Sequence, residues 1–535
     1  MTTGSRQDAV HTPFTISCGD YAPAVEQRIK DWENTDTASR LWQMDPTVWF
    51  KKTQPEITNR LGWLRLPQTM KDQIPGFIKF GEEIRDQGFK HAVLLGMGGS
   101  SLAPEVFQRT FGNREGFPEL LVLDNTHPAA VRGAEQRIDP KKTLFIVASK
   151  SGTTVEPLSF MKYFWEQMSE TTASPGQHFI AITDPGSHLE TLAHDRNFRK
   201  IFNAPSDIGG RYSALSPFGL VPAALVGVDI QELVNRVSVH ANPDAFTLNG
   251  LNRPFFQLGA CLGELTAAGR DKLTFFTSAA LSAFPDWLEQ LIAESTGKNG
   301  TGIIPITGES FDNRNTWGSD RVFVFIRLAG DNKNKAAEQA ELLKKAGHPC
   351  ISIELPDRYS LGIEMYRWEV AVTMSGAVLG IHPFNQPNVE LAKKLARESM
   401  KNHSKTTDDI PAFSANNSEK LFADLDKRIA GVGETAYLSF QTYLPATDEI
   451  NRRLQALRSL WISRCRITTT LGYGPRFLHS TGQLHKGGPG NAVFVQLTGG
   501  LEKDLPVPET DYTFRELIRA QADGDYKALQ QLSRN

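Results

Sequence analysis

From His91 the chain repeats one unit: a short unbroken apolar run, a glycine-rich or polar end, then a stretch in which apolar and charged positions alternate at helical spacing. HAVLLG precedes APEVFQRTFG, LLVLDN precedes PAAVRGAEQRI, TLFIVAS precedes EPLSFMKYFWEQM, and HFIAITDP precedes SHLETLAHD. Apolar runs without the alternation of a half-solvated strand, each followed by a helix, predict a parallel sheet covered on both faces. This gives a doubly wound α/β domain over residues 88–245. The same order returns in KLTFFTSA, PDWLEQLIAEST, VFVFIRLAG, KNKAAEQAELLKKAG and PCISIELPD, predicting a second such domain over 246–404. Before them, Tyr21 to Arg85 carries charges at helical intervals, so residues 1–87 form a helical N-terminal segment. The polar stretch 401–420 reads as a linker. Beyond it the strand-like runs AYLSFQTYL and NAVFVQL flank the helix EINRRLQALRSLW, giving a mixed C-terminal α/β region over 405–535 that contains a histidine-bearing loop. The fold class is therefore α/β, with two doubly wound parallel-sheet domains between a helical start and a mixed end.

Composition narrows the partners. The chain has 535 residues, enough for several cores, and 58 basic against 60 acidic side chains, so it presents no net basic field to a nucleic acid. No stretch is apolar for the length of a membrane span, and the N-terminus has no apolar signal core, so a cytoplasmic location is expected. The 4 cysteines, Cys18, Cys261, Cys350 and Cys465, are widely spaced and read as reduced thiols. No HxH or HExxH spacing offers a metal site, and no cofactor is expected.

The chemistry lies at strand ends. In LLGMGGSSLAPE the glycines, Gly99 among them, allow backbone N–H groups close to a ligand ahead of a helix start that includes Ser100. The dinucleotide pattern GxGxxG fails at Ser101, although Asp124 at the next strand end keeps a nucleotide reading open. SKSGTT, Ser149 to Thr154, crowds hydroxyls, Lys150 and Gly152 between a buried strand and a helix. It is either an anion site built from hydroxyls, N–H groups and the helix dipole, or a plain N-cap.

GMGGSSLAP and SKSGTT together resemble the sugar isomerase (SIS) phosphosugar-binding fold, and more narrowly the glucose-6-phosphate isomerase family. DIGGRYSALSPFG (207–219), ESTGKNG (294–300) and HPFNQPNVELAKK (382–394) are similar to three further motifs of that family, in its order. With the N-terminal LWQMDPTVW and RLGWL, the pattern is closest to the isomerase half of bacterial transaldolase/glucose-6-phosphate isomerase fusions. The strand-helix units of a transaldolase barrel are not present, so no transaldolase activity is expected.

The resemblance implies two SIS-type domains and an aldose-ketose isomerase of glycolysis and gluconeogenesis. Such an enzyme interconverts glucose 6-phosphate and fructose 6-phosphate through an enediolate, without cofactor or metal, as a homodimer with a sugar phosphate as its small-molecule partner. It assigns the phosphate to Gly99, Ser100, Ser149, Lys150, Ser151, Thr153 and Thr154, joined by Gln386. Gln290 becomes a substrate-binding glutamine, Glu294 the base, Arg211 the enediolate's counter-charge and Lys393 an aid to ring opening. The family's catalytic histidine follows soon after the glutamate, but Gly297 to Gly347 contains no histidine. The ring-opening residue is therefore expected in the glycine-rich loop 472–491, as His479 or alternatively His485, with His382 a third candidate. A noncatalytic phosphosugar-binding regulator and an isomerase that also accepts mannose 6-phosphate are the competing readings.

Overall fold

The computed structural model describes residues 12–311, 317–331, 336–401, 418–499 and 503–534. Most of the polar stretch 401–420, read as a linker, lies outside these residues, as does the start of the helix expected over 333–347.

The described strands are β1 (Phe14–Ser17), β2 (His91–Leu95), β3 (Glu119–Leu123), β4 (Thr143–Ala148), β5 (Phe179–Thr183), β6 (Lys200–Asn203), β7 (Lys272–Thr277), β8 (Ile304–Ile306), β9 (Arg321–Leu328), β10 (Cys350–Leu355), β11 (Tyr437–Thr442), β12 (Thr468–Tyr473) and β13 (Ala492–Leu497). They form three sheets: β3-β2-β4-β5-β6, β1-β10-β9-β7-β8 and β12-β11-β13. Every pairing is parallel except β1 against β10, where Phe14 faces Ile353 and Ser17 faces Cys350. The apolar runs explain the first sheet: all residues of β4 and β5 are buried, as strands covered by helices on both faces must be.

Helices Leu102–Phe111, Pro128–Arg137, Val155–Thr171 and His188–Asp195 connect the first sheet, and Phe284–Thr296, Ala336–Lys345 and Leu361–Leu379 serve the second. The N-terminal stretch is helical over Ala22–Asn34, Thr37–Trp42 and Ile74–Asp86, but ITNRLGWL forms turns and a short 3-10 helix, Gly62–Arg65. A Cβ on Gly62 would stand 2.3 Å from the Asp207 carboxylate, so the chain is drawn against residue 207 and not wound into a longer helix. One apolar core joins the N-terminal helices to the inner faces of both larger sheets, and Trp63, Tyr212 and Tyr366 lie fully buried within it.

The segment 472–491, expected as a glycine-rich loop, is a buried plug. It holds a 3-10 turn, Arg476–His479, and a short helix, Gly482–Gly487, whose six residues are all buried. Gly487 allows close packing, since a Cβ there would lie 2.7 Å from the Gly297 carbonyl, whereas one on Gly482 would meet nothing nearer than 3.5 Å.

Candidate active site

In the first sheet Leu95 pairs with Val147, so the turns that follow β2 and β4 leave the same sheet edge side by side. The β2 turn is wedged against a second segment, because a Cβ on Gly99 would come within 2.0 Å of the Gly210 carbonyl oxygen. Only glycine admits that approach, and it brings Ser100 next to Arg211. After β4, Gly152 turns with φ +70° against Leu189 and Ser187. Ser149 Oγ donates to Thr154 Oγ1 at 3.0 Å, and Ser151 and Thr153 hydroxyls lie 3.2 Å apart on the exposed side. Thr154 does not cap the helix Val155–Thr171 with its side chain. The N-cap alternative is therefore not what these hydroxyls do, and the helix start keeps polar groups facing outward. Lys150 pairs with Asp184; burial lowers its pKa, and Asp184 offsets part of that.

Arg211 is 2% exposed and held on several sides. Its Nε donates to Ser295 Oγ at 2.8 Å, and its terminal nitrogens donate to the Pro383 and Asn385 carbonyls and to Gln386 Oε1. Tyr212 backs it through a hydroxyl contact to the same Ser295 and a stack on Trp63, with ring centroids 5.1 Å apart. Glu294, near the end of the helix Phe284–Thr296, sets a carboxylate oxygen 3.4 Å from Arg211 Nη1. One turn earlier, Gln290 Nε2 donates to Glu294 Oε2 at 3.2 Å and to the His479 carbonyl at 2.8 Å. Among the described residues the buried Gln290 Oε1 has no hydrogen-bond partner.

His479 closes the ring of contacts from the same chain. Its Nε2 lies 2.9 Å from Glu156 Oε1, in the first turn of the helix that follows SKSGTT. Burial would raise the Glu156 pKa, but the charge and hydrogen bond of His479 and the more distant Lys393 outweigh it and hold the carboxyl below its ordinary value. Gln521 Nε2 donates to the same Oε1 at 2.6 Å, and Thr126 Oγ1 donates to Gln521 Oε1 at 2.8 Å. The SKSGTT turn leads directly into Glu156, and Glu156, His479, Gln290, Glu294 and Arg211 form one continuous set of contacts.

The other histidines stand elsewhere. His485 is buried, with Nδ1 3.1 Å from the Gln441 amide and its ring against Phe477 and Phe494. Burial, with Lys486 beside it, pushes its pKa well down, so it is a neutral core histidine. His382 accepts the Phe384 and Asn385 amides on Nδ1, which puts its proton on Nε2 toward the Pro55 carbonyl 2.7 Å away. It shapes the turn whose carbonyls hold Arg211. Lys393 is half-exposed, with Nζ 2.8 Å from Glu390.

Residues outside the sequence reading complete the site. The motifs assign no role to Glu156, Gln521, Ser295 or Lys298; the buried Lys298 Nζ donates to the Ser295 carbonyl at 3.0 Å and to that of His382. Gln521 and Asp525 were detectable, since both occupy the apolar face of FRELIRAQADGDYKAL at helical spacing with Leu517, Ala528 and Leu529. Asp124 takes no ribose-facing position: it accepts from Ser101 Oγ at 3.0 Å and lies 3.4 Å from Arg476 Nη1.

Two largely parallel sheets, with a hydroxyl turn, an arginine-carboxylate pair and a histidine-carboxylate pair gathered at one edge, make up a fold that known proteins share. Among solved structures, a hypothetical protein of Thermus thermophilus shares it with TM-score 0.60 and 24% identity, over 72% of this chain and 99% of that one. A glucose-6-phosphate isomerase from Chlamydia trachomatis matches with TM-score 0.54 and 19% identity, over 75% and 88%. Residues 70–310 match the phosphoglucose isomerase family model. A glucose-6-phosphate isomerase of Prochlorococcus marinus is 29% identical over 63% of this chain and 75% of its own length. One of Rubrobacter xylanophilus is 26% identical over 63% and 89%.

Proposed function

We propose that the protein is a glucose-6-phosphate isomerase, interconverting glucose 6-phosphate and fructose 6-phosphate. The observation that carries this reading is Glu294, held 3.4 Å from a buried arginine and linked through Gln290 to a histidine-carboxylate pair. Hydroxyls and N–H groups of Gly99–Ser100 and Ser149–Thr154 bind the phosphate. His479, oriented by Glu156, moves the proton that opens the sugar ring. Glu294 takes a proton from C2 and returns it to C1, while Arg211 balances the charge on the enediolate oxygen, the kind of preorganised charge worth about 3 to 4 kcal/mol at such a centre. The free acceptor of Gln290 is suited to a sugar hydroxyl. The steps are proton transfers that consume no redox equivalent.

The enzyme works as a homodimer in the cytoplasm in this reading, with each subunit supplying its own His479. Among the described residues no helix is long and apolar enough to cross a membrane. A coupled assay on fructose 6-phosphate with Glu294→Gln is the test. Turnover is expected to fall by about 10²- to 10⁴-fold, the usual worth of a positioned base; unchanged turnover removes Glu294 from the mechanism and leaves a ligand-binding protein.

A further inference from the structure

Two thiols that no step of this chemistry uses lie side by side. Cys18 Sγ and Cys261 Sγ are 3.3 Å apart, although 243 positions separate them in the chain. Cys18 directly follows β1, the strand added antiparallel to the edge of the second sheet, and is 5% exposed; Cys261 is fully buried in the helix Arg253–Ala267. Closing the gap to a disulfide of about 2.05 Å takes a movement of little over 1 Å, within the reach of an edge strand near the chain's start.

Geometry also selects this pair. Cys350 faces Ser17 across the ladder, but its thiol points to the opposite layer, 3.5 Å from the His348 carbonyl among Phe323, Phe325 and Leu343. Cys18 and Cys261 share the core on the other face. Cys465 lies away from all three, against Asp426, with its pKa raised by burial and by that carboxylate.

We propose that Cys18 and Cys261 form a peroxide-responsive thiol pair that closes to a disulfide and fastens the N-terminal strand to the helix Arg253–Ala267. The Cys18 thiolate attacks one oxygen of a hydroperoxide, giving Cys18 sulfenic acid and releasing water or an alcohol. The Cys261 sulfur then displaces the sulfenic oxygen as water, so two thiols lose two electrons and two protons to one peroxide. The order of attack follows from burial, since Cys18 is 5% exposed and Cys261 is fully buried. The hydrogen bond between the thiols also lowers the Cys18 pKa against the effect of burial, while that bond and burial raise the pKa of Cys261.

The test treats the reduced full-length protein with hydrogen peroxide and maps its peptides without reductant. A linked peptide carrying Cys18 and Cys261, lighter by about 2 Da than the sum of its parts and separated again by dithiothreitol, is the expected result. Its formation should raise Tm by several degrees. In Cys261→Ala the link cannot form, and Cys18 is expected to take up dimedone as the trapped sulfenic acid. Free thiols at both positions after Cys465 has oxidised, or Cys18 driven to sulfinic acid in the unaltered protein without a link, overturns the proposal. The peptide map reads chemistry at the thiols, so its outcome is independent of whether the isomerase reading stands.

Discussion

At the scale of single residues, the decisive contact is a shared oxygen. Glu156 Oε1 receives both His479 Nε2 at 2.9 Å and Gln521 Nε2 at 2.6 Å, so the carboxylate is fixed before the histidine uses it. A charged acceptor on one ring nitrogen orients the imidazole and stabilises it whenever it carries a second proton. Glu156→Gln keeps the shape and removes the charge; kcat on fructose 6-phosphate should drop about 100-fold with KM changed far less, since the loss falls on a proton-transfer step and not on phosphate binding. Gln521→Ala should repeat that split at about 10-fold, and a rise in KM with kcat intact would show that neither residue acts through His479. Glu156 stood in plain sight within SKSGTTVEP, yet a carboxylate in a helix's first turn reads as a response to the helix dipole. Glu294, Arg211, Gln290 and Gln386 were legible because each sits in a compact motif; the partner of His479 lay 323 residues away, and nothing local reports such a contact.

At the scale of elements, the placement of Glu294 depends on how the helix Phe284–Thr296 ends. The short helix Gly482–Gly487 presses on that end: a Cβ on Gly297 would stand 2.4 Å from Leu484 Cα, and Gln483 Nε2 donates to the Gly297 carbonyl at 2.9 Å. Gln483 Oε1 also accepts the Asn388 amide, tying the turn that holds Arg211 to the same plug. Gly297→Ala forces two backbones apart and should cost about 1 to 3 kcal/mol of stability, as overpacking does, with turnover falling alongside; a denaturation midpoint equal to the parent's would contradict the wedge. Glycine density over 472–491 reads as loop, whereas at Gly474 and Gly487 the missing side chain is what lets the segment pack against Tyr443 and Gly297. The strand Thr468–Tyr473 was hidden for a related reason. Its threonines are polar in sequence, but Thr469 is fully buried, bonding Arg458 and Glu309 through its backbone and hydroxyl. Apolar runs such as TLFIVA and FIAIT announce themselves, while a strand stabilised by buried charge does not.

At the scale of the whole molecule, the C-terminal region is joined to both larger sheets through charge, which gives stability a pH dependence with a definite sign. Arg476, from the plug, meets Glu105 of the helix Leu102–Phe111 and lies 3.4 Å from Asp124 beyond β3, while Ser480 of the same plug reaches Glu289 of the helix that carries Glu294. Burial works to strip Arg476 of its proton, but Asp124, Glu105 and Asp286 outweigh it, so one cation stays charged among several carboxyls. Two carboxyls of the cluster keep their protons to higher pH than usual: burial pushes Asp286 up to about 6, and burial together with Asp286 pushes Glu289 up to about 8. Below pH 4 these two groups are protonated whether the chain is folded or not, and they favour neither state. As pH rises from about 4 toward 8 the unfolded chain releases protons that the folded chain retains, so stability falls across that window and the slope vanishes once Glu289 ionises in the folded protein. Glu289→Gln keeps the neutral form at every pH. Its Tm should match the parent's near pH 4 and exceed it increasingly toward pH 8, while a parent curve that runs parallel to the variant's over that range would mean Glu289 is already ionised in the folded chain and that Arg476 neutralises the whole cluster.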